Sequence, residues 1–279
     1  MEKGRKKGKK GSKLTSALLC LALFAGLSLL LYPTVSNYWN SFHSSQAIAA
    51  YAEAVNGMDA DKYAEIWEAA VAYNENLASG VARDDTATLE YNQLLNVGGT
   101  GVMGYIEIPS IEVSLPVYHG TSEGVLQIAA GHLDWTSLPV GGESSHCVLS
   151  GHRGLPSAKL FTNLDKLIEG DTFMLRILDE VLTYEVDQIL IVEPQDTAAL
   201  QIEQGKDYCT LVTCTPYGIN THRMLVRGHR IETEAAASMA RVTSDAIQVE
   251  PKIVAPILAV PMLLLLLFGL ALEDAFKKK

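Results

Sequence analysis

Cysteine is scarce in this chain: among 279 residues there are four, Cys20, Cys147, Cys209 and Cys214. Cys20 sits in an apolar run, which leaves three. Three is an odd number, so at least one thiol is free or pairs with another molecule. Cys209 and Cys214 lie five residues apart in YCTLVTC. On one strand they would point to opposite faces about 16 Å apart, too far for a bridge. Cys147 with either of the others stays open. No C-x-x-C pair occurs, and alternation scatters Cys209, Cys214, His222 and His229 over both faces of their strands. A zinc site is therefore not expected, and no other metal or cofactor is implied.

Positive charge is missing from the middle of the chain. Residues 14–272 keep 12 of the 22 Lys and Arg but 29 of the 32 Asp and Glu, leaving a formal net charge of −17 there. That sign excludes a nucleic-acid partner. Internal repeats are absent, as is low complexity outside a basic N-terminal tail.

Long apolar runs, in contrast, are present at both ends. LTSALLCLALFAGLSLLL, from Leu14 to Leu31, has 18 residues without a charge, and IVAPILAVPMLLLLLFGLAL, from Ile253 to Leu272, has 20. Each is long enough to cross a hydrocarbon core. The tail MEKGRKKGKKGSK holds seven Lys or Arg and the chain closes on EDAFKKK, so the positive-inside rule puts both termini in the cytoplasm. The basic tail also suits anionic lipid. No small-x-small cleavage site directly follows Leu31, so the first run is expected to stay as an anchor and not be removed as a signal peptide. The expected layout is a basic tail over 1–13, a span over 14–32, a helical segment with a candidate lid loop over 33–102 and a β domain over 103–235. A linker over 236–252, a second span over 253–272 and a short tail over 273–279 follow.

Within the outer part, Gln46 to Leu77 is rich in Ala and Glu with apolar residues at helical spacing, and reads as two helices broken near Asn56-Gly57. From Met103 the texture changes to short β-prone runs separated by Gly, Pro and Asn. MGYIEIP, IEVSLPVYHG, SHCVLSG, DTFMLRIL, VLTYEVDQILIVEP, YCTLVTC and RMLVRGHRI are seven candidate strands. The fold class is mainly β, a closed barrel or a sandwich.

The last two strands carry the most chemistry. If they pair across the turn between Gly218 and Ile219, residues whose numbers sum to 437 face one another, so Cys214 opposes Arg223 and His222 turns away. A guanidinium beside a thiol stabilises the thiolate and can donate to the oxyanion formed when that thiolate attacks a carbonyl. A cysteine nucleophile also needs an imidazole. His152, in VLSGHRGLP at the end of a strand and flanked by Gly151 and Gly154, is the candidate. His119 and His132 read as hydrogen-bonded structural histidines, and Arg227 and Arg230 as solvated strand residues. By itself, a cysteine ending an apolar strand is most often a core residue.

Three separated blocks decide the matter. TLVTCTPYGINTHRMLVRG, LSGHRGLPSAKLFTNLDKLIEGD and MGYIEIPSIEVSLPVYHGTSEGVLQIAAGHLDWTSLPVGG together resemble the class C, pilin-polymerising sortases over about 103–232. The resemblance implies an eight-stranded β-barrel with His152 as general acid and base, Cys214 as nucleophile and Arg223 beside them. Thr213 and Thr215, which flank the nucleophile, are expected to contact substrate. The implied reaction is transpeptidation: cleavage of an LPxTG-like signal between Thr and Gly and transfer of the acyl group to a pilin lysine. Such an enzyme sits in the cell membrane with its catalytic domain outside, and its partners are pilins or surface proteins that bear sorting signals. Attachment of surface proteins to cell-wall peptidoglycan is the alternative. A scaffold that binds sorting signals without turnover, or a two-span sensor, would leave the triad unexplained. The usual Asp-Pro-aromatic lid motif is absent; VARDDTATLEYNQ stands in its place, with Asp84 and Asp85 as the candidate lid residues.

Overall fold

The computed structural model describes residues 10–80 and 90–233, together with Leu265 and Gly269. The linker, the C-terminal tail, Asp84 and Asp85, and all of the second span but those two residues lie outside the described residues. Helix α1 covers Lys10–Asn56 and α2 covers Ala60–Ala78. The strands are β1 (Val102–Ile108), β2 (Val113–His119), β3 (Ala130–His132), β4 (Ser145–Ser150), β5 (Thr172–Ile177), β6 (Glu180–Val192), β7 (Asp207–Thr215) and β8 (His222–Ile231). A four-residue helix, α3 (Glu123–Leu126), precedes β3.

Among the described residues, α1 is the one helix long and apolar enough to cross a membrane. The first span was expected over residues 14–32, and α1, which includes that stretch, runs on through Pro33 to Asn56. An interior proline removes one helix hydrogen bond and its ring crowds the carbonyl four residues back, at about 3 kcal/mol, so packing further along must offset that cost. That packing comes from Ile48, Tyr51 and Val55, buried at helical spacing and each contributing about 1.5–3 kcal/mol. Tyr51 adds two polar ties: its hydroxyl donates to Met103 O at 2.9 Å and accepts from Leu178 N at 2.7 Å. The break near Asn56-Gly57 is present, and α2 starts under a cap in which Lys62 N donates to Asp59 Oδ1 at 2.8 Å. Asn74 of α2 exchanges two hydrogen bonds with the backbone of Leu138, at 3.0 and 2.7 Å, which ties α2 to the β3–β4 connection.

The strands close in the order β1-β2-β3-β4-β7-β8-β6-β5. Seven of the eight match the runs read from the sequence; β3 is the addition. Its three residues, Ala-Gly-His, have no β-prone pattern and form a strand only because β2 pairs with it in parallel and β4 antiparallel. Two pairings matter for the site. β4 lies parallel to β7 with Ser145 opposite Asp207 and Ser150 opposite Val212, and β7 lies antiparallel to β8.

Alternation then separates two apolar clusters. Cys147, Leu149, Cys209, Leu211, Met224 and Val226 belong to the barrel interior. Val148, Val212 and Leu225 belong to a second cluster on the other face, with Leu133, Leu190, Val192 and Leu200.

Candidate active site

Cys214 faces Arg223 across the β7–β8 ladder, as the turn arithmetic requires. The parity of β7 puts Cys214 on the face of Val212, outside the barrel interior, and its thiol is free and half-buried. Arg223 is half-buried too, and its Nη1 donates to His222 O at 3.1 Å and Asn220 O at 3.3 Å. These bonds hold the guanidinium at the turn and leave its remaining donors for a substrate oxygen.

His152 enters from β4. The β4–β7 pairs all differ by 62 in residue number, and His152 precedes Cys214 by 62. The ladder runs on past the strand end: Gly151 N donates to Val212 O at 3.0 Å, and Thr213 Oγ1 donates to Gly151 O at 2.8 Å. His152 therefore follows β4 at the level of Cys214. Its own carbonyl accepts from Phe161 N at 3.1 Å. Gly151 is required by packing, since a Cβ there would lie 2.6 Å from the Phe161 ring. His152 Nε2 has no hydrogen-bond partner among the described residues; the nearest carboxylate oxygen is Glu123 Oε2 at 3.9 Å. An imidazole held by its backbone, with a nitrogen uncommitted, is free to exchange a proton.

Thr213 and Thr215 both turn to the side opposite Cys214. Thr213 makes the bond to Gly151 just given, and Thr215 Oγ1 accepts from Arg153 Nη1 at 3.4 Å. Both side chains thus meet the loop that carries His152. His222 turns away from Cys214 as expected: its Nε2 is 3.4 Å from Glu193 Oε1 and its Nδ1 is 2.9 Å from Thr221 Oγ1.

The other cysteines and histidines have structural settings. Cys147 and Cys209 face each other inside the barrel, fully buried and both free. Burial pushes the Cys209 thiol well above its ordinary range, so it is inert. His119 Nε2 and Nδ1 lie 2.7 and 2.9 Å from Leu94 O and Gly101 O. His132 is buried between Tyr91 and Ser137. Arg227, expected in solvent, instead makes a two-bond pair with Asp187 at 3.0 and 3.1 Å and lies over the Tyr208 ring. The β6–β8 register shifts between Val186 and Gln188, and this bulge turns the Asp187 carboxylate toward the arginine. Arg230 lies over the Tyr184 ring. A cavity of about 740 Å³ lies away from Cys214, lined by Glu75, Trp135, Glu143 and His146 near the start of β4.

Residues 106–231 match the family model of the sortase domain. Over 100% of its length, the crystal structure of sortase C1 from Streptococcus agalactiae aligns with 68% of this chain at 52% identity, with a TM-score of 0.66. The chain belongs to the sortase family. Sortase C of Clostridium perfringens, solved with the C-terminal cell wall sorting motif, aligns over 99% of its length and 67% of this chain at 46% identity and a TM-score of 0.61. Sortase D of Bacillus subtilis is 31% identical over 131 residues, 46% of this chain and 63% of that protein. The match thus spans less than two thirds of that curated relative. Its structural neighbours make this chain a class C sortase.

Two parts of this sortase site escaped the sequence. One is the support of the segment after His152 by α1, where Asn40 Nδ2 donates to Ser157 O at 2.8 Å and Asn37 Oδ1 accepts from Lys159 N at 2.8 Å. The other is the bridge from Arg153 to Thr215. The bridge extends the parallel β4–β7 ladder, and the α1 contacts join residues more than a hundred positions apart, so no local pattern signals either.

Proposed function

We propose that this chain is a membrane-anchored cysteine transpeptidase that joins pilin subunits. The observation that carries the reading is the convergence of one exposed-face thiol, its facing guanidinium and an imidazole with an uncommitted nitrogen at one end of the β4–β7–β8 sheet. Cys214 Sγ, as the thiolate, attacks the Thr carbonyl of an LPxTG-like signal. Arg223 donates to the oxygen that becomes negative. Collapse expels the Gly amine, which His152 protonates, and leaves a thioacyl enzyme. A pilin lysine amine then attacks the thioester, His152 takes its proton, and an isopeptide leaves with Cys214 restored.

The apolar cluster of Val148, Leu190, Val192, Val212 and Leu225 continues along the face that carries Cys214, which suits the Leu and Pro of such a signal. The Clostridium perfringens relative, solved with the C-terminal cell wall sorting motif, supports the same substrate class. The apolar stretch of α1 suits an anchor; the two-span layout with both termini cytoplasmic remains part of this proposal, as does the division into domains. The test is cleavage of a sorting-signal peptide by the full chain in detergent, with the products identified by mass spectrometry. A cut between Thr and Gly supports the reading, and no cut, or a cut elsewhere, sinks it.

A further inference from the structure

We propose that Arg153 is a positioning residue: by tying the loop after β4 to the end of β7, it keeps the His152 imidazole level with the Cys214 thiol. This rests on the reading of His152 and Cys214 as the reacting pair. Regular pairing of β4 with β7 ends at Ser150 and Val212, two residues short of both groups. The next rungs are the bonds of Gly151 with Val212 and Thr213. Arg153 supplies the rung beyond the pair, since its Nη1 donates to Thr215 Oγ1, and these two residues directly follow His152 and Cys214. The reacting level is thus fastened on both sides.

The bridge is built into the protein and not laid on its surface. The Arg153 side chain is only 9% exposed, and its charge is met by Asp165, to which Nη2 donates from within the same loop region. A buried guanidinium with a carboxylate partner holds one geometry, because the planar fork binds in two directions at once. Its Cζ also lies 5.9 Å from the centroid of the Tyr217 ring. That ring rests against Gly154, where a Cβ would come within 3.0 Å of it. Arg153 and Gly154 therefore seat the turn that follows Cys214 on the loop that follows His152. Both are in the HRG stretch, so one short segment supplies the proton-transfer group, the bridge and the seat.

Loss of the bridge should act on the reacting geometry and not on binding. A misplacement of about 1 Å between reacting groups costs about 100-fold in rate. The experiment compares the full-length wild type in detergent with Arg153→Gln, Thr215→Val and Thr215→Ser, measuring kcat and KM for peptide cleavage and Tm for each. Thr215→Val, which removes only the acceptor, is expected to lower kcat about tenfold with KM within about twofold, and Arg153→Gln to lower kcat further. Thr215→Ser, which keeps the hydroxyl, is expected to restore kcat. If Arg153→Gln fails to fold, the Thr215 pair decides alone. Wild-type kcat in Thr215→Val, or an effect confined to KM, overturns the proposal while leaving the transpeptidase reading intact. A wild-type chain that cleaves no peptide overturns that reading, and this proposal with it.

Discussion

Cys214 and His152 are separated by 62 residues, and 62 is the offset at which β7 pairs with β4 throughout their parallel ladder. Two groups on strands far apart in sequence are thereby brought level at the end of one sheet. The antiparallel ladder to β8 adds Arg223 opposite Cys214.

The first prediction separates the two histidines near the thiol. His152→Ala is expected to lower kcat/KM for peptide cleavage by about 100-fold to 10,000-fold, the usual range for a lost general acid and base. His222→Ala, which removes a contact to Glu193 on the other face, should leave kcat/KM within about twofold. Equal losses in the two variants would refute the assignment.

Arg223→Lys keeps the charge but loses the fork. Its expected cost is about 100-fold in kcat with little change in KM, the signature of a donor that acts on the developing oxyanion. A rise in KM alone would instead make Arg223 a ground-state binding residue.

Gly151→Ala tests the packing beneath His152. The added methyl would lie 2.6 Å from the ring of fully buried Phe161, and overpacking of this kind costs about 1–3 kcal/mol. Chemical denaturation should show that loss, together with a fall in kcat, because His152 shares the displaced backbone. Wild-type stability would mean that the loop yields easily.

How much of this was legible beforehand follows from which contacts are local. The β7–β8 hairpin closes over a short turn, so alternation alone gave the pairing of Cys214 with Arg223 and the outward turn of His222. His152 was singled out by its glycines and by resemblance, yet its level could not be derived. Parallel pairing of β4 with β7 depends on a crossover through β5 and β6 that no local pattern encodes. The three-residue β3 was invisible for the same reason. Arg227 read as a solvated strand residue because its partners, Asp187 beside the β6 bulge and the Tyr208 ring on β7, belong to other strands. The length of α1 was not legible because the contacts that hold its second half, such as those of Tyr51 with Met103 and Leu178, are made with distant strands and loops of the barrel.

Stability should fall in mild acid. Burial holds the pKa of His146 below 6.5, against the opposing pull of Gln201 O, and burial lowers His119 as well. Below pH 6.5 the unfolded chain protonates these rings before the folded one does, so their contribution is complete above that value and is lost as pH falls through it toward the depressed folded values. A Tm that drops between pH 7.5 and 5, and drops less in His146→Gln, is expected. A Tm that rises over that range would contradict the sign.

The central claim is that Cys214 carries the acyl group between a sorting signal and a lysine. Its most direct test is intact-mass measurement of the full-length chain in detergent after mixing with an LPxTG-like peptide, followed by addition of a lysine-bearing pilin. The account predicts an adduct equal to the peptide up to its Thr, mapped to Cys214, absent from a folded Cys214→Ala variant, and discharged by the pilin into an isopeptide product. Release of the cleaved peptide from Cys214→Ala, or an adduct on any other residue, would contradict it.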